Sequence, residues 1–168
     1  EQQVVIASEN EITEIASLKP VNGDGMFVNI PNIDFESAYI MIYHNSLQNA
    51  SNQYESYRSS PAGGNHNTVM LNIDELYLQF GGGIYKHINS IRRLAHLAHN
   101  LSTEKPVGLL LMGKGIQEAN EPNSASNSGT RKNQNSYQNC LIPSFGFPAS
   151  DISITNRLNG TSLAPLIP

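Results

Sequence analysis

The segment from residue 68 to residue 112 constrains the fold more than any other part of the sequence. Residues 68–80 are rich in strand formers, and three glycines, Gly81, Gly82 and Gly83, interrupt them. Residues 84–100 contain neither glycine nor proline, and residues 107–112 form a short apolar run. Such a run is typical of a strand buried on both faces. The order therefore predicts two neighbouring parallel strands joined by a crossover helix.

The predicted helix over residues 84–100 is amphipathic. When its residues are placed at the α-helical repeat, the apolar side chains gather on one side, and the basic and amide side chains gather on the other. Its positive charges come late, where they complement the negative end of the helix dipole. The predicted buried stripe consists of Ile84, Ile88, Ile91, Leu94, Ala95 and Ala98.

The remaining segments are shorter. Residues 4–7 and 37–43 are predicted strands, and residues 152–155 are a predicted edge strand. For residues 37–43 the alternative is a helix that Asp34 caps. A turn at residues 21–25 favours a hairpin over residues 11–30, with a helix over residues 11–18 as the alternative. We therefore predict one α+β domain over residues 1–168. In it, a mixed β-sheet carries one principal amphipathic helix on one face, and long polar loops cover about 44–67 and 113–139.

Composition narrows the class of protein. Charged residues make up 14% of the chain and the net charge is −4, so a general nucleic-acid role has no electrostatic support. The one cysteine, Cys140, excludes an internal disulfide framework, and we expect it to be a buried, inert thiol. No apolar run approaches the roughly 18 residues that span a bilayer. The neutral, amide-rich surface favours an extracellular, periplasmic or virion or cell-surface location.

The two polar loops provide the first candidate site. Tyrosine, serine, asparagine and glycine are the residues that recognition loops use, since rigid rings combine there with adaptable polar groups. The candidate anchors are Tyr54, Tyr57, Arg58 and Tyr137. Mobile loops without any partner are an equally good interpretation. The leading functional prediction is an exported or surface-exposed recognition protein without catalytic activity, which binds a protein or glycan. A coat or assembly subunit, and with it a homo-oligomer, stays open.

The second candidate site lies at the glycines. If Gly81, Gly82 and Gly83 join a strand to a helix start, their N–H groups and the helix dipole could hold an anion. His87 follows one turn later and is the candidate catalytic base or donor. The simpler alternatives are a tight turn and a core histidine with one backbone partner. His96 and His99 share a helix face, but no third ligand has suitable spacing, so no metal site is predicted.

The residues around this turn resemble a known motif. Gln79 and Gly82 match the pyrophosphate loop of coenzyme A-dependent acetyltransferases, whereas Ile84 departs from its last position. The resemblance implies an enzyme that binds an acyl or phosphoryl ligand through Gly81, Gly82 and Gly83. It covers at most forty residues, and no cofactor is predicted from it.

Overall fold

A three-stranded parallel sheet forms the centre of the molecule. The computed structural model describes residues 17–18, 20–115, 134–144 and 150–156. Its strands are β1 (Ala38–Tyr43), β2 (Asn67–Asn72) and β3 (Gly108–Met112), in the order β2-β1-β3. The predicted α+β fold is confirmed, but the predicted mixed sheet is wrong, because both pairings are parallel.

The apolar face of the sheet is set by the register. Ile40 lies between Val69 and Leu109, and Ile42 lies between Leu71 and Leu111. Alternate side chains of a strand point to the same face, so these residues form one continuous apolar surface. Helix α3 (Asn89–Leu101) packs its buried stripe into the same core. The members of that stripe are Ile91, Leu94, Ala95 and Ala98.

The opposite face carries Tyr39, Met41 and Tyr43 of β1. Helix α1 (Gln48–Ser59) covers this face and reaches β2 through Thr68, whose hydroxyl donates to Glu55 at 2.5 Å. The predicted loop over residues 44–67 is therefore wrong. Helix α1 was not predicted from the sequence because its residues are polar and lack a clear apolar stripe.

The segment that was predicted to be one strand over residues 68–80 changes structure at Asn72. Helix α2 (Ile73–Phe80) follows β2 directly, and the Asn72 side chain caps it by accepting from the Asp74 N–H at 2.8 Å. The acidic residues Asp74 and Glu75 lie in the first turn, where they favour a helix start. The glycines thus follow a helix and not a strand.

The predicted pairing of residues 68–80 with residues 107–112 is also wrong. Strand β1 lies between β2 and β3 and pairs with both. Helix α3 begins at Asn89 and not at residue 84, because Lys86 has a φ of 58° and interrupts the helical path. Ile84, which was predicted to be buried, is 59% exposed.

Two further expectations fail at the ends of the domain. Residues 26–29 contain no strand, and 3-10 turns lie on either side of them at Val21–Gly23 and Ile30–Asn32. Residues 152–155, predicted to be a strand, form the short helix α5 (Ile152–Thr155). The predicted strand at 4–7 and most of the predicted polar loop at 113–139 lie outside the described residues. Helix α4 (Gln134–Asn139) is the last part of that loop.

Candidate functional site

The carboxyl ends of the three strands meet at one edge of the sheet. In parallel sheets ligands bind at this edge, and most often where neighbouring strands send their connections to different sides. The central strand β1 ends here beside β3, and the His44 N–H donates to the Met112 carbonyl at 3.5 Å. The polar side chains that follow β1 and β2 therefore form the candidate site.

A ring of hydrogen bonds joins three of these side chains. Asn45 donates from Nδ2 to Oδ2 of Asp74 at 3.2 Å, and its Oδ1 accepts from Nδ2 of Asn72. Asn72 in turn accepts from the Asp74 backbone through its own Oδ1. Both amide groups are thus fixed in orientation, and they hold the Asp74 carboxylate at the edge between β1 and β2. Such a carboxylate can accept N–H groups from a bound molecule.

His44 is the second group of this edge. Its Nδ1 accepts from the Ser46 N–H at 3.2 Å and lies 2.8 Å from the Ser46 hydroxyl. Because Nδ1 is an acceptor, the neutral ring carries its proton on Nε2, which can donate to a carbonyl oxygen. The side chain is partly buried, so its direction is constrained.

Cys140 lies close to the same edge. The neighbouring Leu141 N–H donates to the Lys114 carbonyl at 2.8 Å, just beyond the end of β3. Cys140 is 5% exposed as a residue, and its sulfur lies 3.6 Å from the Ile142 carbonyl oxygen, to which it donates. The expected buried thiol is therefore observed, and in this geometry its sulfur is turned away from solvent.

The glycine turn does not have the setting that was expected of an anion site. Gly81 and Gly83 both donate their N–H groups to the Tyr77 carbonyl, at 3.0 and 2.9 Å. The turn follows α2, so it lies at the negative end of that helix dipole. The Nδ1 of His87 accepts from the Asn89 N–H at 3.1 Å, which satisfies a free donor at the start of α3. The strand-to-helix turn that motivated the anion site is therefore absent here. Ligand binding at Gly81, Gly82 and Gly83 and catalysis by His87 stay predictions.

The predicted anchors of the first polar segment lie together on α1. The rings of Tyr54 and Tyr57 are 6.1 Å apart. Arg58 places its Cζ 4.6 Å from the ring centre of Tyr39 and donates from Nη2 to Nε2 of His66 at 2.8 Å. Tyr137 belongs to α4, but its side chain lies outside the described residues.

Tyr39 has a perturbed pKa in this cluster. Burial raises the pKa of Tyr39, and the hydrogen bond and charge interaction with Tyr54 raise it further. The Arg58 guanidinium opposes this shift because it favours the phenolate. The cluster is therefore a set of electrostatically linked side chains and not a row of independent surface residues.

The described residues contain neither a metal-ligand cluster nor a helix that could span a membrane. Within residues 17–18, 20–115, 134–144 and 150–156, no three His, Cys, Asp or Glu side chains come together as metal ligands. His96 contacts the Asn100 amide instead. No helix in these same ranges combines the length and the apolar character of a membrane span.

The structure is a three-stranded parallel sheet with helices, and it has a group of polar side chains at the carboxyl ends of its strands. The model of peptidase family C25 matches residues 33–157, which is most of the chain and includes all three strands. The protein therefore belongs to peptidase family C25. No curated protein and no solved structure matches it.

The family assignment corrects the leading functional prediction. A recognition protein without catalytic activity conflicts with membership of a peptidase family. The prediction failed because it relied on the absence of a recognisable catalytic motif, whereas the polar groups of the carboxyl edge come from segments that are far apart in the sequence. Residue 43 was correctly predicted as the end of a strand, so His44 and Asn45 could have been found from their position. Asp74 could not, because it was assigned to a strand interior.

Proposed function

We propose that this protein is a cysteine peptidase that cleaves polypeptides at the carboxyl edge of its parallel sheet. The match to peptidase family C25 over residues 33–157 carries the proposal. The hydrogen-bonded ring of Asn45, Asn72 and Asp74 supports the location, since it presents a fixed carboxylate where α/β proteins bind ligands.

A polypeptide has alternating donors and acceptors that this edge can bind. The Asp74 carboxylate accepts peptide N–H groups, and the Nε2–H of His44 donates to a peptide carbonyl. We assign both residues to substrate positioning. Holding a scissile bond in the correct geometry is itself a large part of catalysis, because small misplacements cause large losses of rate.

Cys140 is the candidate nucleophile of this proposal, although its sulfur is buried in the structure. A cysteine peptidase attacks with an accessible thiolate that is activated by a neighbouring base. The Cys140 sulfur is buried and donates to the Ile142 carbonyl, so a substrate carbonyl cannot reach it without rearrangement. If this chain does supply the nucleophile, it must be Cys140, because the sequence contains one cysteine.

The first experiment measures hydrolysis of a quenched fluorescent peptide library by the full-length protein. We expect hydrolysis that iodoacetamide abolishes, and no hydrolysis of any peptide would contradict the proposal. A folded Cys140→Ala variant should lose this activity, because the sequence contains no other cysteine. Retained activity in that variant would show that Cys140 is not the nucleophile.

The second comparison tests the carboxyl edge. Asp74→Ala breaks the ring and should lower kcat/KM by about tenfold to a hundredfold, mainly through KM. Asp74→Asn keeps an acceptor for Asn45 and separates the effect of charge from that of position. Asp34→Ala is the matched control, because the Asp34 carboxylate also accepts a hydrogen bond, in its case from the Glu36 backbone N–H, but lies before β1, at the opposite edge. Equal activity in Asp74→Ala and Asp34→Ala would show that the carboxyl edge does not take part in substrate binding or catalysis.

A further inference from the structure

Arg58 differs from the other arginines that the structure describes. Arg92 donates to the carbonyls of Ser153 and Ile154, and Arg93 donates to that of Phe80. Backbone oxygens thus occupy both of those guanidinium groups. Arg58 donates to an imidazole nitrogen of His66 and stacks on the Tyr39 ring, and within the described residues it forms no ion pair.

The nearest acid on the same helix is already engaged. Glu55 precedes Arg58 by three residues, a spacing at which helix side chains can pair. Its carboxylate instead accepts from the Thr68 hydroxyl at 2.5 Å. Within the part of the chain that the structure describes, the Arg58 Nε is also buried without a hydrogen-bond partner. The positive charge of Arg58 is therefore not neutralised by a described neighbour.

The guanidinium is nevertheless held in one orientation. The Tyr39 ring lies beneath it, and the imidazole of His66, which packs 5.4 Å from Tyr39, fixes one end through Nη2. A planar guanidinium with a fixed orientation suits a carboxylate, which can accept two parallel N–H bonds. Because the ring and the imidazole already hold the side chain, a ligand would not have to order it.

Two aromatic side chains of α1 lie near this cation, since Tyr54 is one helical turn before Arg58 and hydrogen-bonds to Tyr39, on which Arg58 stacks. Tyr57 is 50% exposed and its ring packs near Tyr54. An exposed ring beside a cation offers contact area to a peptide chain next to the charged group. Tyr39 is near the start of β1, whereas the carboxyl edge lies at the end of that strand. Arg58 and the carboxyl edge are therefore about 15 Å apart along the strand.

We propose that Arg58, held by His66 and Tyr39 and bordered by Tyr54 and Tyr57, binds an acidic side chain of a polypeptide at a site separate from the carboxyl edge. The choice of a polypeptide rests on the proposed peptidase function, since a peptidase must bind extended substrates. The site would add affinity for substrates that carry an acidic residue away from the bond that is cleaved.

The test follows the guanidinium signals of arginine-labelled full-length protein by NMR during titration with acetyl-tetraglutamate. Uncharged acetyl-tetraglutamine is the control peptide, and inorganic phosphate is the control anion. We expect tetraglutamate to shift the Arg58 signals and leave those of Arg92 and Arg93 in place. Unmoved Arg58 signals would overturn the proposal, and a response to phosphate alone would overturn the assignment to an acidic peptide.

Substitutions of Arg58 test in the same titration whether its charge and its planar group bind the peptide. Arg58→Gln should weaken tetraglutamate binding by about tenfold, because a charge-assisted bidentate pair is lost. Arg58→Lys should recover part of this loss, since it keeps the charge without the planar group. Arg93→Gln should bind like the wild type, and equal binding by Arg58→Gln and wild type would contradict the proposal. The titration of the wild type requires no variant, so it remains decisive if Arg58→Gln fails to fold.

The outcomes also separate this site from the proposed activity. Binding is measured without turnover, so an Arg58 response in a protein that cleaves no peptide would refute the peptidase and retain the site. Peptidase activity without any Arg58 response would support the peptidase and refute the binding site at Arg58.

Discussion

The two faces of the sheet are covered in different ways. On one face, Ile40 and Ile42 lie in an apolar layer that α3 completes with Leu94 and its neighbours. On the other, α1 is polar along most of its length, and Ser51 is its one fully buried residue. The apolar face supplies most of the hydrophobic stabilisation, whereas the α1 face combines stacking with hydrogen bonds. The comparison indicates that the α1 face is better suited to carry polar binding groups.

The largest expected effect tests this difference in stabilisation. Leu94→Ala should lower the free energy of unfolding by about 2–5 kcal/mol, because a fully buried leucine leaves a cavity in the core. Ser51→Ala should cost no more than about 1 kcal/mol, since the lost bond is a local one to the Leu47 carbonyl. Denaturant unfolding measures both values. Similar losses in the two variants would show that the faces contribute equally.

The next effect concerns how α1 is joined to the sheet. Gly63 lies in the turn between α1 and β2, and a Cβ at this position would come within 1.9 Å of the Tyr57 carbonyl oxygen. Gly63→Ala should therefore force the end of α1 to move and destabilise the protein by about 1–3 kcal/mol. Gly82→Ala is the control, because a Cβ at Gly82 would meet no atom within 4 Å, and the cost there is the conformational one of a positive φ. Thermal unfolding compares them, and a smaller loss for Gly63→Ala than for Gly82→Ala would argue against a tight junction.

The smallest effect is a pH dependence of stability that Tyr39 should give to the α1 face. The pKa of Tyr39 is raised in the folded protein, mainly by burial and then by Tyr54. The folded state therefore keeps its proton at pH values where the unfolded state has lost it. The stabilisation that this provides is present below the usual tyrosine pKa of about 10 and is lost as the pH rises through the higher folded pKa.

Substitution isolates this contribution. Tyr39→Phe should flatten the fall in stability above about pH 10. Unfolding curves recorded from neutral pH upward give the comparison, with Tyr57→Phe as the control for an exposed tyrosine on the same face. An unchanged slope in Tyr39→Phe would show that Tyr39 does not link folding to pH.

The same contrast explains which elements were predictable. Strand β1, strand β3 and most of α3 were found because their local patterns state both their type and their buried side. Helix α2 was missed although its signals were present: the capping Asn72, two acidic residues in the first turn, and apolar residues at helical spacing. The many strand-forming residues just before residue 73 led to the prediction of one continuous strand instead. Helix α1 offered no apolar period to detect.

The sequence by itself determined the apolar runs and the amphipathic stripe of α3, because each depends on neighbours along the chain. Tertiary structure alone decided that β1 lies between β2 and β3, that Asn45 meets Asp74, and that Arg58 stacks on Tyr39. The hydrogen bond from Asn45 to Asp74 joins residues 29 positions apart. Contacts of this kind depend on strand order and on which face each helix covers, and no local pattern encodes either one.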